Sequence, residues 1–430
     1  MKRLALLVLA ILAAVLAVLS APALSTRPWV PDAVDFELAP AAGNASAAGA
    51  IRGRGLVAPP LRTPKRFNLV GMRWTGEAEP AIAIRTRTDG GRWSSWATVE
   101  SDSADAPDPR SERSVRGFSR PMWVGEADWI QYRMSEPVPG LRLHFVNSTG
   151  TATAAARAKS ALRRAASSAA VSLGGLFSAS AQDAQPAIVS RAQWGADDCR
   201  PRSSPSYGEV RAALVHHTVS TNTYSREEAP SVVLGICRYH RNSNGWDDIG
   251  YNFLVDRFGT IYEGRAGGID RPVIGAQAQG FNGETTGIAS IGRHDTATGG
   301  GPAPDAVIDA IARLVRWKLP IHGQPTSGTV VLTSAGGDAN RHPRGAEVEF
   351  DRISGHRDAG RTTCPGDHLY DRLGDIRGRA GGVQPRAART RISVRIGPRV
   401  VRFPTAVAVT GRLTAAEPVR GAPAPGAWRS

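Results

Sequence analysis

The feature that most limits what this chain can fold into is a change of hydrophobic period partway along it. Between Phe67 and Val146 apolar and polar residues alternate in short runs, namely Phe67 to Trp74, Ala81 to Arg87, Trp129 to Met134 and Leu141 to Phe145, with Gly, Pro and Asp turns between them. Successive side chains of a strand point to opposite faces, so a period of two broken by turn residues specifies half-buried antiparallel strands. From about Ile188 the pattern becomes strands alternating with helices. Val232, Val233, Ile236 and Tyr239/His240 recur at helical spacing after Pro230 and Ser231, and Ile308, Ile311, Leu314 and Val315 do so after Asp305, whose carboxylate favours a helix start. The runs 210–216, 250–255, 260–263, 287–291 and 348–353 read as strands. The two periods predict two folded units. One is a β-sandwich-like domain over residues 66–150; the other is an α/β domain over 188–376, with a mixed central β-sheet and flanking helices.

The flanking sequence has a different character. Met1-Lys2-Arg3, the apolar run Leu4 to Leu19 and Ser20-Ala21-Pro22-Ala23 match the basic, apolar and small-residue regions of a secretory signal peptide over residues 1–23. An uncleaved N-terminal anchor is the other reading of the same run; under both, the rest of the chain works outside the cytoplasm. No later stretch has the ~20 apolar residues of a membrane span, so no stable membrane insertion is expected once the signal is cut. Residues 24–65 read as a Pro/Ala/Gly-rich spacer and 151–187 as an Ala/Ser-rich linker with a marginal helix at 154–170. The stretch 377–430 holds two β-like runs, 391–396 and 406–409, and reads as a flexible tail or an incomplete β segment.

With 53 Lys+Arg against 38 Asp+Glu the formal charge is +15. Outside the cytoplasm that charge suits an anionic surface such as a cell wall, and a solvated basic surface without a partner accounts for it equally. Trp74, Trp93, Trp96, Trp123 and Trp129 concentrate in the first unit, where they either line a sugar-binding face or serve sheet packing. Three cysteines in 430 residues exclude a small disulfide-stapled scaffold. No nucleotide-binding fingerprint follows a strand and opens a helix.

Three residues of the second unit have the chemistry of a metal site. His216 ends a strand, His356 lies in Ser354-Gly355-His356-Arg357-Asp358, and Cys364 precedes Pro365-Gly366. Two imidazoles and a thiolate suit a catalytic zinc that keeps its fourth position for water, although the spacing matches no finger-type pattern and packing histidines are common. His217 is adjacent to His216 and points to the opposite face of its strand. His240, His294, His342 and His368 are read as packing or surface residues.

Taken in order, Trp194-Gly195-Ala196, Val215-His216-His217-Thr218, Gly245 to Phe253, Ile261-Tyr262-Glu263-Gly264-Arg265, and Gly355-His356-Arg357-Asp358 with Cys364-Pro365-Gly366 resemble the peptidoglycan recognition protein and type 2 N-acetylmuramoyl-L-alanine amidase family. The resemblance covers roughly residues 188–375. It implies that His216, His356 and Cys364 hold Zn2+ and that Tyr251 lies near the reacting water. It further implies that Thr362, two residues before the third ligand, lies near the reacting carbonyl. The implied activity is hydrolysis of the lactyl amide between muramic acid and the L-alanine of the peptidoglycan stem peptide. Members that only bind typically lack the cysteine, and here the set is intact. Gln277 stands where relatives commonly carry histidine, which bears on substrate fit. Glu263 suits an ion pair with Arg265 better than acid/base work. Cys199 and Cys237, left over after Cys364, are free to pair in an oxidising compartment.

The resulting expectation is a secreted, wall-associated, monomeric zinc hydrolase whose partner is peptidoglycan rather than nucleic acid. Two other classes remain to be distinguished: a non-catalytic peptidoglycan-binding protein, and a cysteine hydrolase using Cys364 with His356.

Overall fold

The computed structural model describes residues 33–39, 56–76, 80–101, 104–114, 117–149 and 185–381, together with strands at 390–396, 409–415 and 427–429. The signal peptide of residues 1–23 and the helix expected at 154–170 lie outside the described residues.

The first unit is an antiparallel sheet of seven strands. Its order is β1 (Val34–Leu38), β7 (Arg142–Asn147), β3 (Leu61–Arg73), β6 (Met122–Met134), β4 (Ile82–Arg87), β5 (Ala97–Val99), with β2 (Leu56–Val57) also pairing with β6. β1 and β2 correct the sequence reading, since both fall inside the stretch 24–65 expected to be a spacer. Val34-Asp35-Phe36-Glu37-Leu38 alternates perfectly but is only five residues long; it is fixed by pairing from Val34↔Asn147 to Leu38↔Leu143. Phe36 then stacks on Phe145 at 4.9 Å. Register shifts between β3 and β6 bend the sheet around a core of Phe67, Val70, Met72, Ile84, Ile130 and Phe145.

The tryptophans divide. Trp74 and Trp123 are buried. Trp93, Trp96 and Trp129 are half-buried and interleave with Arg85, Arg87 and Arg133, whose guanidinium carbons stand 4.7–4.9 Å from ring centroids. This cation–π ladder covers the sheet face with the aromatic rings held between charges.

In the second unit six strands form a mixed sheet of order β15 (Ile353–Gly355), β9 (Ala212–His217), β12 (Thr285–Ser290), β10 (Phe253–Val255), β11 (Ile261–Glu263), β8 (Ile188–Val189). β9 is central and runs parallel to both neighbours; only β10 and β11 are antiparallel. The alternation of side chains sorts the core into two halves. Ala213, Val215, Phe253, Val255 and Ile288 face helix α3 (Asp305–Ile321), whereas Leu254 and Ala289 face helix α2 (Ala229–Asn242). The run expected as one strand at 348–353 is divided: β14 (Glu347–Asp351) pairs with β13 (Thr329–Thr333) in a separate hairpin, and after Arg352 the chain enters the main sheet as β15. α1 (Arg191–Trp194) precedes a short 3-10 turn, Ala196–Cys199, which a Cys199–Cys237 disulfide ties to α2 with Cα atoms 6.3 Å apart. Among the described residues no helix is long and apolar enough to cross a membrane.

The two units share a core. Leu69, Trp123 and Val146 of the β domain cluster with Val232, Val233, Ile236 and Tyr239 of α2. Close approach depends on Gly71, where a Cβ would fall 2.1 Å from the Tyr239 ring. The Tyr239 hydroxyl donates to the Met72 carbonyl at 3.2 Å, and Arg238 grips Asp35 of β1 at 2.9 and 3.1 Å. Beyond residue 389, β16 (Thr390–Ile396), β17 (Val409–Ala415) and β18 (Ala427–Arg429) form a three-stranded sheet, with the second strand starting where the 406–409 run ends.

Candidate metal centre

The site is assembled at the C-terminal end of β9. His216 is the fifth residue of that strand, and β15 runs beside it and delivers His356 as the first residue of the short helix α4 (His356–Ala359). Cys364 follows on the loop after α4, placed by a hydrogen bond from its own N–H to the Thr362 hydroxyl at 3.1 Å. The ligand atoms of His216, His356 and Cys364 lie within 4.8 Å of one another, and all three side chains are essentially inaccessible to solvent. Cys364 Sγ is 3.7 Å from His216 Nδ1.

His216 is oriented by a chain of hydrogen bonds whose direction is unambiguous. The Phe281 carbonyl accepts from the Thr285 hydroxyl at 2.8 Å, so Thr285 must in turn accept from the Gln277 amide at 2.9 Å. That leaves Gln277 Oε1 facing His216 Nε2 at 2.5 Å as an acceptor. The ring proton therefore sits on Nε2 and Nδ1 is free to ligate, the arrangement by which an outer acceptor fixes the tautomer of a metal-binding histidine. Gly287 makes room for Gln277, because a Cβ there would stand 2.5 Å from its Cγ.

Both ring nitrogens of His356 are buried without a hydrogen bond of normal geometry. A buried imidazole of that kind requires an explanation, and a metal ion at the shared focus of His216, His356 and Cys364 supplies it. Burial, with the neighbouring His216, lowers the His356 pKa to about 4, which keeps the imidazole neutral as a ligand must be. Burial pushes the Cys364 thiol well up, so a thiolate at this position needs a cation beside it.

One further group was not anticipated from sequence. Asp105, on the β-domain segment 104–114, is fully buried between the histidines; its Oδ1 lies 2.9 Å from His356 Nδ1 and 3.7 Å from His216 Nδ1. Arg120, also buried, donates to both carboxylate oxygens at 2.9 and 3.2 Å, and the Tyr251 hydroxyl donates to Oδ2 at 2.6 Å. Burial alone would raise the Asp105 carboxyl, but Arg120 and the histidines hold it well below the usual carboxylate range. Asp105 stands in a Pro-containing stretch without a motif, and apart from Arg120, 15 residues on, its partners are more than a hundred residues away, so no local signal marks it.

The other expected residues fall as follows. Tyr251 joins the histidine cluster, its ring 5.4 Å from that of His216. The Thr362 hydroxyl braces Cys364 through the backbone. His217 points away from the cluster: its Nδ1 accepts from the His294 N–H at 3.2 Å, and it lies near Glu100 and Asp295. His240 accepts from the Gly250 N–H at 3.1 Å and His294 bonds Ser290 at 2.8 Å, both as packing residues. The expected Glu263–Arg265 ion pair is corrected. Arg265 instead grips Glu112 of the β domain at 2.7 and 2.9 Å, and Glu263 accepts from the Arg191 backbone N–H at 3.0 Å. Residues two apart on an extended strand end project to the same side but have no turn to bring the charges together, whereas Glu112 arrives from outside and faces Arg265 directly.

Both units resemble known proteins. Residues 206–367 match the family model described as N-acetylmuramoyl-L-alanine amidase, and residues 31–167 match one described as Rv3811 N-terminal galactose-binding domain-like. The chain is 30% identical over 187 residues to peptidoglycan-recognition protein SC2 of Drosophila simulans, covering 43% of this chain and 84% of that one. It is 31% identical over 210 residues to the N-acetylmuramoyl-L-alanine amidase of Homo sapiens, covering 48% of this chain and 31% of that one. Among solved structures, wild-type Drosophila PGRP-LB aligns at 26% identity with a TM-score of 0.33, over 44% of this chain and 92% of that one. The protein belongs to the peptidoglycan recognition protein and N-acetylmuramoyl-L-alanine amidase family, with a galactose-binding-like β domain at its N-terminal side. That family is zinc-dependent and binds peptidoglycan, and the His216, His356, Cys364 cluster is compatible with zinc.

Proposed function

We propose that the protein is a secreted, zinc-dependent N-acetylmuramoyl-L-alanine amidase that hydrolyses the amide between the lactyl group of muramic acid and the L-alanine of the peptidoglycan stem. The observation that carries this reading is the intact ligand set: His216 Nδ1 bared by Gln277, His356 with neither ring nitrogen in a hydrogen bond of normal geometry, and Cys364 beside them. Zinc held there supplies Lewis acidity that activates water and polarises the amide carbonyl.

The chain's own groups do the rest. Tyr251 brings its hydroxyl next to the ligands, where it donates to Asp105 Oδ2 at 2.6 Å; released from that partner, it would hold an oxygen that gains negative charge. Arg120 Nη1 donates to the Tyr251 oxygen at 3.3 Å, so the hydroxyl proton is directed to Asp105. The Thr362 hydroxyl accepts the Cys364 N–H and so keeps the Cys364 loop in register, with its own proton left to donate to a reacting carbonyl. Export through the signal peptide and residence at the wall belong to the same reading, and the formal charge of +15 supports attraction to an anionic wall polymer.

The test is release of new N-terminal L-alanine from purified peptidoglycan, with chelator and with zinc restored, using the natural sequence and a form with Asp105 replaced. Alanine that appears, vanishes on chelation and returns with zinc establishes the activity. A protein that holds stoichiometric zinc and binds the wall yet releases no alanine in either form is a recognition protein.

A further inference from the structure

We propose that Asp105 is a fourth ligand of the metal held by His216, His356 and Cys364, so that the β domain closes the position a hydrolytic zinc reserves for water and the folded protein is latent. The inference rests on the zinc reading above and concerns a residue outside the family's own domain.

Four observations carry it. The first is spacing. Ligand bonds of about 2.0–2.1 Å to N or O and about 2.3 Å to S, at tetrahedral angles, put neighbouring donors roughly 3.3 Å apart for N and O and roughly 3.6 Å apart for N and S. Asp105 Oδ1 lies 2.9 and 3.7 Å from the two Nδ1 atoms, so it sits against the histidine side of the cluster that His216, His356 and Cys364 form. The second is direction. At 2.9 Å from Asp105 Oδ1, His356 Nδ1 still makes no hydrogen bond of normal geometry, as expected of two atoms aimed at a common third point rather than at each other.

The third is the way the carboxylate is held. Arg120 and Tyr251 take Oδ2 and Arg120 reaches Oδ1 from one side, which leaves Oδ1 turned to the histidines. A simple ion pair with Arg120 does not require that orientation. Outer donors that aim a ligating oxygen do. The fourth is access. The cleft beside the site, about 850 Å³, is walled by Ala106, Pro107 and Asp108 on one side and by Gln279 and Arg361 on the other, and the three expected ligands do not line it. The segment 104–114 thus stands between the cleft and the ligands. It is fastened at its middle by Asp108 accepting from Gly280 N–H and Asn282, and near its C-terminal end by Glu112 gripping Arg265. Withdrawal of this segment would remove Asp105, free Tyr251 and join the cleft to the site in one movement.

The experiment uses the full chain with Co2+ in place of zinc and acetohydroxamate, a metal-binding anion, as probe. In the natural protein the four-coordinate cobalt absorption should stay unmoved as hydroxamate is added. In Asp105→Ala the spectrum should shift on addition, with hydroxamate binding tighter by roughly tenfold or more, and metal retention against a chelator should fall, as when a supporting group of a metal site is lost. Asp105→Ala strands a buried guanidinium, so the paired variant Asp105→Leu/Arg120→Met, which removes both charges, provides the folded control. Its thermal unfolding is checked alongside. Alanine release from peptidoglycan, followed in parallel, should rise in both variants.

Hydroxamate binding to the natural protein as tightly as to the variants overturns the ligand assignment whether or not alanine is released. Release by the natural protein at the variants' rate overturns the latency and leaves the amidase reading intact. Hydroxamate binding gained only in the variants, with no alanine released by any form, upholds Asp105 as a ligand and removes the amidase. Failure of cobalt or zinc to bind in any form overturns both.

Discussion

At the scale of single residues, the centre depends on groups that do not touch the metal. Gln277 is the clearest, because its amide is locked by Thr285 and its oxygen faces His216 Nε2 at 2.5 Å. Replacing it with leucine, Gln277→Leu, leaves a buried N–H without an acceptor and frees the ring to turn. Loss of such an outer partner typically costs 10–100-fold in metal affinity, so zinc affinity measured by chelator competition should fall by about that factor while the fold persists. An unchanged affinity would show that Gln277 only fills space. His240 has a different consequence. It is fully buried against Trp246 and Tyr251, and burial lowers its pKa to about 3. Above the unfolded value of about 6.5 the group is neutral in both states and contributes nothing; below it, the unfolded chain takes up a proton that the folded chain refuses. Stability should therefore fall as pH drops from about 6.5 towards 3, by roughly 2 kcal/mol from this residue between pH 7 and pH 5. Urea unfolding of the natural protein and His240→Gln at those two pH values isolates the term, since other buried histidines contribute equally to both. Equal pH dependence in the two proteins would refute it.

At the scale of elements, what could be read from the chain follows how local the cause is. Helices α2 and α3 were legible because three to five apolar positions at helical spacing are sufficient to define a buried face, and both helices form where that spacing runs. The central strands were legible as short apolar runs for the same reason. β1 was missed although its alternation is perfect, because five residues among Pro/Ala-rich sequence define a strand only once β7 supplies partners. β13 carries no signal of its own, and the run at 348–353 reads as one strand, because division between a hairpin and the main sheet is decided by which neighbour is present on each side of Arg352. The candidate site shows the same limit. His216, His356 and Cys364 were marked by residue type and by the order of motifs around them. Asp105 and Arg120 were not, because they belong to another domain's loop and strand end, and their significance arises only when β9 and β15 are brought against them.

At the scale of the whole molecule, the β domain is not a tethered neighbour but part of the wall of the site, and its docking rests on helix-to-sheet contact too close for ordinary side chains. The sheet face around β3 meets α2 where Gly71 lies against the Tyr239 ring, and Gly235 on α2 would likewise bring a Cβ to 3.0 Å from Leu69. Neither requirement can be read from either segment alone. The variant Gly71→Val tests it cleanly, since valine is a good strand residue and the β domain should tolerate it while the interface cannot. The Tyr239 ring is fully buried and anchored to Met72, so it has no free direction in which to move. The expected outcome is undocking: thermal unfolding that separates into two transitions, and faster amide exchange in α2 and in segment 104–114. Because Asp105 is carried by that segment, the cobalt form should also gain hydroxamate binding with every residue of the centre unchanged. Adding Tyr239→Ala should restore a single transition, because the space vacated by the ring accepts the valine, and the coupling between the two substitutions should be large and positive, as for residues in direct contact. A Gly71→Val protein that unfolds in one step and keeps its cobalt site closed would mean that the segment is held by Glu112 and Asp108 alone. Latency would then be a property of the loop rather than of the docked domains.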